Sequence, residues 1–172
     1  MGRVIAISNQ KGGVGKTTTA INLSACLAEK GKRVLTIDMD PQGNTTSGLG
    51  IDKSTVEHTS YQLLTNETTI WEAMTPSIVP GLSVIASERS LAGAEIELIG
   101  VEDRENYDFV IIDCPPSLNT LTVNAMTTAD TVLVPIQCEY YALEGLSELI
   151  YTIELVKERL NNKLEIEGVV FT

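Results

Sequence analysis

Short apolar runs rich in valine and isoleucine recur along the chain and predict buried β-strands. They lie at Val4 to Ile7, Val34 to Ile37, Leu82 to Ile85, Phe109 to Ile112, Val132 to Ile136 and Val169 to Phe171. The runs show no regular alternation of apolar and polar residues, which is typical of strands covered on both faces. We therefore expect a sheet whose two faces are both buried.

Helical patterns separate most of these runs. They lie at Thr17 to Lys30, around Leu91 to Ile99, at Asn119 to Thr128 and at Ala142 to Leu160. Because strand and helix alternate, the sequence predicts an α/β fold in which a mainly parallel, twisted sheet is flanked by helices.

The last helical pattern carries one apolar stripe, formed by Leu146, Leu149, Ile150, Ile153, Val156 and Leu160. A partner could bind this stripe, but packing against the sheet is the favoured interpretation. The stretch from Gly43 to Thr69 has no strong period and is rich in small polar residues. It predicts a mobile loop with one short helix around Tyr61 to Leu64.

Length and composition indicate a single domain, 1–172. The chain has 172 residues, of which 43% are hydrophobic and 20% are charged, close to the average for soluble globular proteins. Disordered and fibrous classes are therefore excluded. The net charge of -11 repels polyanions at long range, so a polyphosphate ligand needs a local concentration of positive charge and backbone N–H groups.

The cysteines and the N-terminus indicate a cytoplasmic location. Cys26, Cys114 and Cys138 are widely separated and odd in number, which favours reduced thiols over a disulfide or a metal cluster. No signal-peptide pattern follows Met1, and no apolar stretch reaches membrane-spanning length. We expect a soluble protein that stays in the cytoplasm.

A glycine-rich loop follows the first predicted strand. Its sequence from Ser8 to Thr17 is SNQKGGVGKT, and a predicted helix comes next. Ligands of open α/β sheets gather at the carboxyl ends of the strands, so this is the position of a phosphate-binding loop. Glycines let backbone N–H groups converge on phosphate oxygens, and the start of a helix adds positive potential. Lys16 can reach the outer phosphates and the Thr17 hydroxyl can bind magnesium.

This loop is a variant of the ordinary phosphate loop, in which a glycine stands five residues before Gly15. That position is Gln10, and Lys11 opens the glycine run. Lys11 puts a second ammonium beside the phosphates, where it could act on the bound nucleotide or on one in a facing subunit. Gly12 and Gly13 could instead belong to a plain turn with both lysines solvated, but the strand before and the helix after favour the phosphate loop.

Two carboxylates follow the second predicted strand. Asp38 and Asp40 are two positions apart, so in an extended segment they face the same side, at the rim of the phosphate site. A carboxylate there can hold a magnesium-bound water or orient the attacking water in phosphoryl transfer. The two residues could also simply end a strand at Pro41.

Asp113 ends a third apolar run and is followed by Cys114-Pro115-Pro116-Ser117. An apolar strand that ends in aspartate is the arrangement that binds magnesium opposite a phosphate loop. The two prolines stiffen the segment, which could report whether the γ-phosphate is present, as switch loops do. A capping aspartate before a turn is the alternative, and the phosphate loop makes it less favoured.

These motifs together resemble the ParA/Soj family of partition ATPases, part of a wider deviant-Walker group that includes MinD and the nitrogenase iron protein. KGGVGKTTTAINL at Lys11 to Leu23 is typical of the wider group. The Soj-like segments are DMDPQGNTTSGLG at Asp38 to Gly50, LAGAEIEL at Leu91 to Leu98, DCPPSLNTLTVNAM at Asp113 to Met126 and PIQCEYYALEGL at Pro135 to Leu146. The resemblance covers nearly the whole chain.

The resemblance implies a P-loop NTPase fold and a magnesium-dependent ATPase that binds ATP and ADP. By the match, the nucleotide is held by Lys11, Gly12, Gly13, Val14, Gly15, Lys16, Thr17 and Thr18. The catalytic residues would be Lys11, Lys16 and Asp40, and the magnesium residues Thr17, Asp38 and Asp113. In the family, Asp40 would position or activate the hydrolytic water.

The resemblance also implies partners. ATP closes two subunits of the family into a homodimer, with the residue matching Lys11 reaching the partner's phosphates. The dimer holds DNA non-specifically and is therefore nucleoid-associated when ATP is bound. A ParB/Spo0J-type protein stimulates hydrolysis, and the output is partitioning of chromosome or plasmid DNA.

Two departures from the family pattern predict missing segments. The family usually carries a further helix before the strand matching Phe109 to Ile112, whereas here only Gly100 to Asp108 joins that strand to the preceding helix. The chain also stops at Phe171-Thr172, where the family continues through base-binding residues and basic residues that grip DNA. We therefore expect a C-terminally incomplete domain, and direct DNA binding is an expectation from the family alone.

The sequence leaves three other functions open. A MinD-like membrane-cycling ATPase would need a C-terminal amphipathic helix, and none is visible. An iron–sulfur reductase like the nitrogenase iron protein would need cysteines such as Cys114 or Cys138 at a dimer axis. A truncated module could hold nucleotide without turnover.

Overall fold

The structure is a computed structural model that describes residues 2–93, 106–138 and 142–172. Seven strands form one sheet in the order β3-β4-β2-β5-β1-β6-β7, and every neighbouring pair is parallel except β3 with β4. The strands are β1 (Arg3–Ile7), β2 (Val34–Asp38), β3 (Met74–Pro76), β4 (Leu82–Ile85), β5 (Phe109–Asp113), β6 (Thr131–Ile136) and β7 (Glu165–Phe171). The six predicted strands and the α/β class are confirmed.

Helices flank the sheet, and their bounds match most of the predicted patterns. They are α1 (Lys16–Glu29), α2 (Asn44–Gly48), α3 (Ser60–Leu64), α4 (Ile70–Ala73), α5 (Thr120–Thr128) and α6 (Ala142–Arg159). Arg89–Gly93 forms a short 3₁₀ helix, and the rest of the helix predicted around Leu91 to Ile99 lies outside the described residues. The LAGAEIEL segment therefore has only its beginning in the described part.

The sheet separates two hydrophobic clusters, as expected for strands buried on both faces. Successive residues of β1 enter different clusters: Val4 lies in one and Ile5 in the other. Leu149 and Ile153 of α6 are buried in the first cluster, so the apolar stripe packs against the sheet as predicted, while Leu160 at its end is 50% exposed. Among the described residues, no helix is both long and apolar enough to cross a membrane.

The prediction that Gly43 to Thr69 forms a loop with a single short helix was wrong in part. The segment contains α2, a 3₁₀ helix at Lys53–Thr55 and the predicted short helix α3. α2 has only five residues, too few for a periodic pattern, and long-range hydrogen bonds of Thr45 and Thr46 hold it in place. The short antiparallel edge strand β3 was also missed, for the same reason of length.

The order of the central strands brings three loops to one place. β5 lies between β1 and β2, so the residues that follow these three strands are neighbours at the carboxyl edge of the sheet. In the register of β2 with β5, Asp38 stands opposite Asp113, and Asp113 also stands opposite Ile7, the last residue of β1. The phosphate loop and the carboxylates named from the sequence therefore meet at this edge.

Candidate active site

The loop between β1 and α1 is shaped by glycines in left-handed conformations. Gly13 has a φ of 75° and Gly15, the residue before α1, has a φ of 83°. Residues with a Cβ rarely adopt this conformation, so glycine is required at both positions. The loop turns sharply into the start of a helix, where backbone N–H groups and positive potential favour an anion.

Side chains from several elements fix the backbone of this loop. The Lys16 ammonium donates to the Lys11 carbonyl at 2.9 Å, the Gln137 amide donates to the Gly13 carbonyl at 3.1 Å, and the Thr172 hydroxyl donates to the Val14 carbonyl at 3.1 Å. β6, β7 and α1 thereby hold the loop in one shape. The Gln137 and Thr172 contacts were not predicted, because only the folded sheet brings those residues near the loop.

Asn9 is a buried residue of the loop that the sequence did not single out. Its side-chain oxygen accepts a hydrogen bond from the Lys11 N–H at 3.0 Å, and its amide donates to the Pro135 carbonyl at 2.7 Å. Asn9 therefore ties the start of the glycine run to the end of β6. The sequence feature that could have indicated this role is an asparagine two residues after a buried strand.

Lys16 lies almost entirely inside the protein, with 7% of its surface exposed. Burial lowers the pKa of its ammonium, while the negative charges of Asp113 and Asp40 act in the opposite direction. Phosphate oxygens would be better partners for a buried ammonium than the neutral Lys11 carbonyl it now contacts. The position suits the role predicted for Lys16.

Asp113 is the group that fits a magnesium ion best. Its Oδ2 accepts hydrogen bonds from the Thr17 hydroxyl at 3.0 Å and from the Thr45 hydroxyl at 2.6 Å. Its Oδ1 is buried and has no hydrogen-bond partner within the described residues. Burial raises the pKa of Asp113 to about 7. A buried carboxylate with one oxygen left over, beside a hydroxyl, is a ligand pair that Mg²⁺ accepts together with phosphate oxygens and waters.

Asp38 is arranged differently, although it was predicted together with Asp113 as a magnesium residue. Its Oδ1 accepts from the Asp40 N–H at 3.1 Å, and its Oδ2 accepts from the N–H and the hydroxyl of Thr46 at 2.8 and 2.7 Å. Burial raises the pKa of Asp38 to about 6, against these hydrogen bonds. Both carboxylate oxygens of Asp38 therefore accept hydrogen bonds from the protein, and these bonds hold the backbone that follows β2 in place.

Asp40 lies in a tight turn at the rim of the site. Its backbone N–H donates to Asp38, and its own Oδ1 accepts from the Gln42 N–H at 2.9 Å. The Lys53 ammonium holds the same turn from outside by donating to the Gln42 carbonyl at 2.7 Å. Only 9% of Asp40 is exposed. The turn thus fixes one carboxylate oxygen of Asp40 and leaves the other for a water or substrate.

Lys11 and Gln10, which mark the variant loop, line a cleft of about 540 Å³ beside the phosphate loop. The segment after β5, at Pro116 to Leu118, and the α6 residues Gly145 and Glu148 form its other walls. The Gln10 side-chain amide donates to the Glu148 carboxylate. The residue that replaces the usual glycine therefore connects the loop to α6.

The cysteines give no support to an iron–sulfur centre. Cys114 is 1% exposed, and burial raises the pKa of its thiol. Cys138 is exposed, and its neighbours 139–141 lie outside the described residues. Within the part of the chain that the structure describes, no group of three or more histidine, cysteine, aspartate or glutamate side chains could hold a metal. The magnesium site predicted at Asp113 and Thr17 is not such a group, because it depends on oxygens that a nucleotide would supply.

Known proteins match this chain over its full length. A family model described as AAA domain matches residues 2–166. The sporulation initiation inhibitor protein Soj of Bacillus subtilis is 54% identical over 184 residues, covering 100% of this chain and 73% of that protein. The chromosome partitioning protein ParA of Myxococcus xanthus is 52% identical, covering 100% of this chain and 65% of that protein.

Solved structures with nucleotides have the same fold. Cobyrinic acid a,c-diamide synthase from Mycobacterium smegmatis with bound ADP and magnesium matches with a TM-score of 0.90 and 38% identity, covering 99% of this chain and 74% of that chain. A putative plasmid partition protein from Borrelia burgdorferi bound to AMPPNP matches with a TM-score of 0.77 and 28% identity, covering 99% of this chain and 73% of that chain. Both of these structures contain a bound nucleotide.

The relatives are longer than this chain. The chain spans 73% of the Bacillus protein and 65% of the Myxococcus protein. The alignment with the Bacillus protein extends over 184 residues, which is longer than the 172 residues of this chain. The relative therefore carries residues inside the aligned region that this chain lacks.

Proposed function

Since the chain belongs to the ParA/Soj family of chromosome-partitioning proteins, we propose that it is an ATP-hydrolysing dimerisation switch for DNA partitioning. ATP binding would bring two copies together, and hydrolysis would separate them. The 1–172 region would act as one P-loop ATPase domain. The replicon it serves would be a chromosome or a plasmid.

One observation carries this proposal: the buried Asp113 carboxylate, with its unpartnered Oδ1, lies against Thr17 of the phosphate loop. Burying an unpaired carboxylate is unfavourable, and a loop that served only as a turn would offer nothing to compensate that cost. A cation between this carboxylate and bound phosphates would compensate that cost. The pair therefore supports nucleotide binding with magnesium over a plain glycine turn.

The residues of the chain would divide the chemistry as follows. Lys16 and the N–H groups of the loop, with Thr18 at its end, would hold the phosphates, and Thr17 and Asp113 would hold the metal. Bound Mg²⁺ supplies charge neutralisation on the phosphate oxygens. Asp40 would orient the attacking water, because its turn leaves one oxygen available beside the buried site. Asp38 would keep that turn in place.

Lys11 would act across the dimer. It lines the cleft beside the phosphate loop and belongs to the same glycine run, so its ammonium would reach the edge of the proposed nucleotide site. An ammonium that reaches the phosphates of a second copy would link dimer formation to the presence of ATP.

Replacing Lys11 with alanine is expected to abolish the dimer that a non-hydrolysable ATP analogue induces. The reason is that the change removes one charged contact to the partner's phosphates from each of the two sites. Light scattering coupled to gel filtration measures the mass with and without the analogue. Lys163→Ala, which removes an exposed lysine in the turn before β7, should dimerise normally. An unchanged dimer in Lys11→Ala would refute the role of Lys11 across the interface.

The proposed partners follow from the family and from the charge of the chain. A ParB-type protein would stimulate hydrolysis, and DNA would be held by the dimer of the longer family members. With a net charge of -11, this chain by itself is a poor match for DNA. We place the protein in the cytoplasm, with association to the nucleoid when ATP is bound.

A phosphate-release assay tests the proposal directly. We expect magnesium-dependent turnover that increases when DNA and a ParB-type protein are added together, and no turnover in excess EDTA. Turnover that does not depend on magnesium would contradict the assignment. Tight nucleotide binding without any turnover would instead identify the chain as a nucleotide-binding module.

A further inference from the structure

Two neighbouring threonines attach α2 to the carboxyl edge of the sheet. Thr45 donates its hydroxyl to Asp113 at the end of β5, and Thr46 donates its hydroxyl to Asp38 at the end of β2. The Thr46 hydroxyl also accepts the Ser87 N–H at 3.0 Å, just after β4. Both threonines are fully buried. The helix is therefore fastened to three strands by polar contacts.

The Thr45 hydroxyl helps to set the orientation of the Asp113 carboxylate. It shares the Oδ2 atom with the Thr17 hydroxyl, so two donors from separate elements converge on one oxygen of the carboxylate. Two such contacts restrict rotation of the carboxylate and keep Oδ1 without a protein partner. If Thr45 had no hydroxyl, Oδ2 would keep only the contact to Thr17, and the carboxylate could turn.

Thr45 also lies close in sequence to the turn that carries Asp40. The Gly43 N–H donates to the Asp40 carbonyl at 2.8 Å, and Gly43 is the residue directly before α2. A displacement of Asp113 would therefore be passed through Thr45 and α2 to the Asp40 turn, and the reverse holds as well.

We propose that Thr45 is a positioning residue for the metal site: its hydroxyl holds the Asp113 carboxylate with one oxygen left for the cation and joins it to the helix that follows Asp40. This inference rests on the proposed function, because it concerns the same nucleotide site. Outer-shell hydrogen bonds of this kind fix the orientation of metal ligands, and their removal typically weakens metal affinity or activity about 10- to 100-fold.

The test measures magnesium-dependent binding of fluorescent ADP to the full chain, without hydrolysis. In Thr45→Val, which keeps the shape and removes the hydroxyl, we expect the magnesium concentration for half-maximal binding to rise about 10-fold or more. Binding in EDTA should be unchanged, because the contacts to the phosphates are intact. Ser47→Ala on the same helix, where the hydroxyl contacts only the Gly43 carbonyl at 3.4 Å, is the matched control.

A second pair of variants separates the hydroxyl from packing. Thr45→Ser and Thr45→Ala both lose the methyl group and differ only in the hydroxyl. Normal magnesium dependence in the serine variant with weakened dependence in the alanine variant supports the proposal. Equal magnesium dependence of the two variants, or of Thr45→Val and the wild type, overturns it. A wild type that binds Mg·ADP and does not hydrolyse ATP would refute the ATPase function alone, since the Thr45 measurement does not use turnover.

Discussion

Replacing Asp113 with asparagine is expected to lower ATP turnover at least about 100-fold and, in the metal-free protein, to raise the melting temperature. Asparagine keeps an oxygen that can accept from Thr17 and Thr45, but it lacks the charge that binds the cation. Transition-state stabilisation by a metal amounts to several kcal/mol, and a factor of 100 corresponds to about 3 kcal/mol. Steady-state phosphate release at saturating magnesium measures the loss.

Asp113→Asn is expected to raise the melting temperature because it removes a buried charge. The pKa of Asp113 moves from an ordinary value of 3.8 to about 7, a difference worth roughly 4 kcal/mol at high pH. An asparagine amide without a partner would cost about 1 to 3 kcal/mol in return. The net gain is therefore on the order of 1 to 3 kcal/mol, which corresponds to a rise of several degrees in a domain of this size.

The pH dependence of this stability gain follows from the upward shift of the Asp113 pKa. A carboxyl whose folded pKa lies above its unfolded value favours folding at pH below about 4, and this contribution is lost as the pH rises towards 7. The advantage of Asp113→Asn should accordingly be small at pH 5 and larger at pH 8. Thermal melts in EDTA at these two values measure it.

Asp108 at the opposite end of β5 provides the control. This half-buried carboxylate accepts the Arg33 N–H, which lowers its pKa, so Asp108→Asn should not stabilise the protein and should leave turnover unchanged. If Asp113→Asn melts at a lower temperature than the wild type at pH 8 in EDTA, burial of an uncompensated charge is the wrong description of this site.

Local patterns were enough to predict most of the architecture and the chemical groups of the site. Among the described residues, the apolar runs predicted six of the seven strands, and the glycine-rich loop at Lys11 to Thr17 lies between β1 and α1 as predicted. This works because strand burial and glycine conformation leave marks within a few residues of sequence. Asp38 and Asp113 stand side by side because β2 and β5 are neighbours in the sheet. The sequence indicates this strand order only indirectly, through the alternation of strand and helix.

The contacts that orient the site could not be predicted in the same way. Thr45 and Thr46 look like ordinary polar loop residues, and nothing nearby in the sequence indicates that their partners are Asp113 and Asp38. Gln137 and Thr172 reach the phosphate loop from strands far along the chain. Each of these is a single hydrogen bond across a large sequence separation, and such bonds have no periodic pattern.

The geometry of Asp40 separates two functions that one carboxylate could perform. Its Oδ1 accepts the Gln42 N–H and so shapes the turn, while the charge of the group is available for a water at the rim of the site. Alanine removes both functions. Asparagine retains an oxygen for the Gln42 N–H and removes the charge alone. Comparing the two variants shows whether Asp40 works by shaping the loop or by acting on the water.

Replacing Asp40 with alanine is expected to reduce turnover about 100-fold or more, with nucleotide affinity within about threefold of the wild type, since general base or water-orienting groups contribute about 10²- to 10⁴-fold. Asp40→Asn should lose a similar factor if the charge acts on the water, and it should retain most of the activity if the turn is what matters. Phosphate release and fluorescent-nucleotide titration measure the two quantities separately. Ser54→Ala, at an exposed residue of the neighbouring 3₁₀ helix, is the control and should behave as the wild type. Undiminished turnover in Asp40→Ala would remove Asp40 from the catalytic machinery. The remaining candidates would be Lys11, Lys16, Thr17 and Asp113.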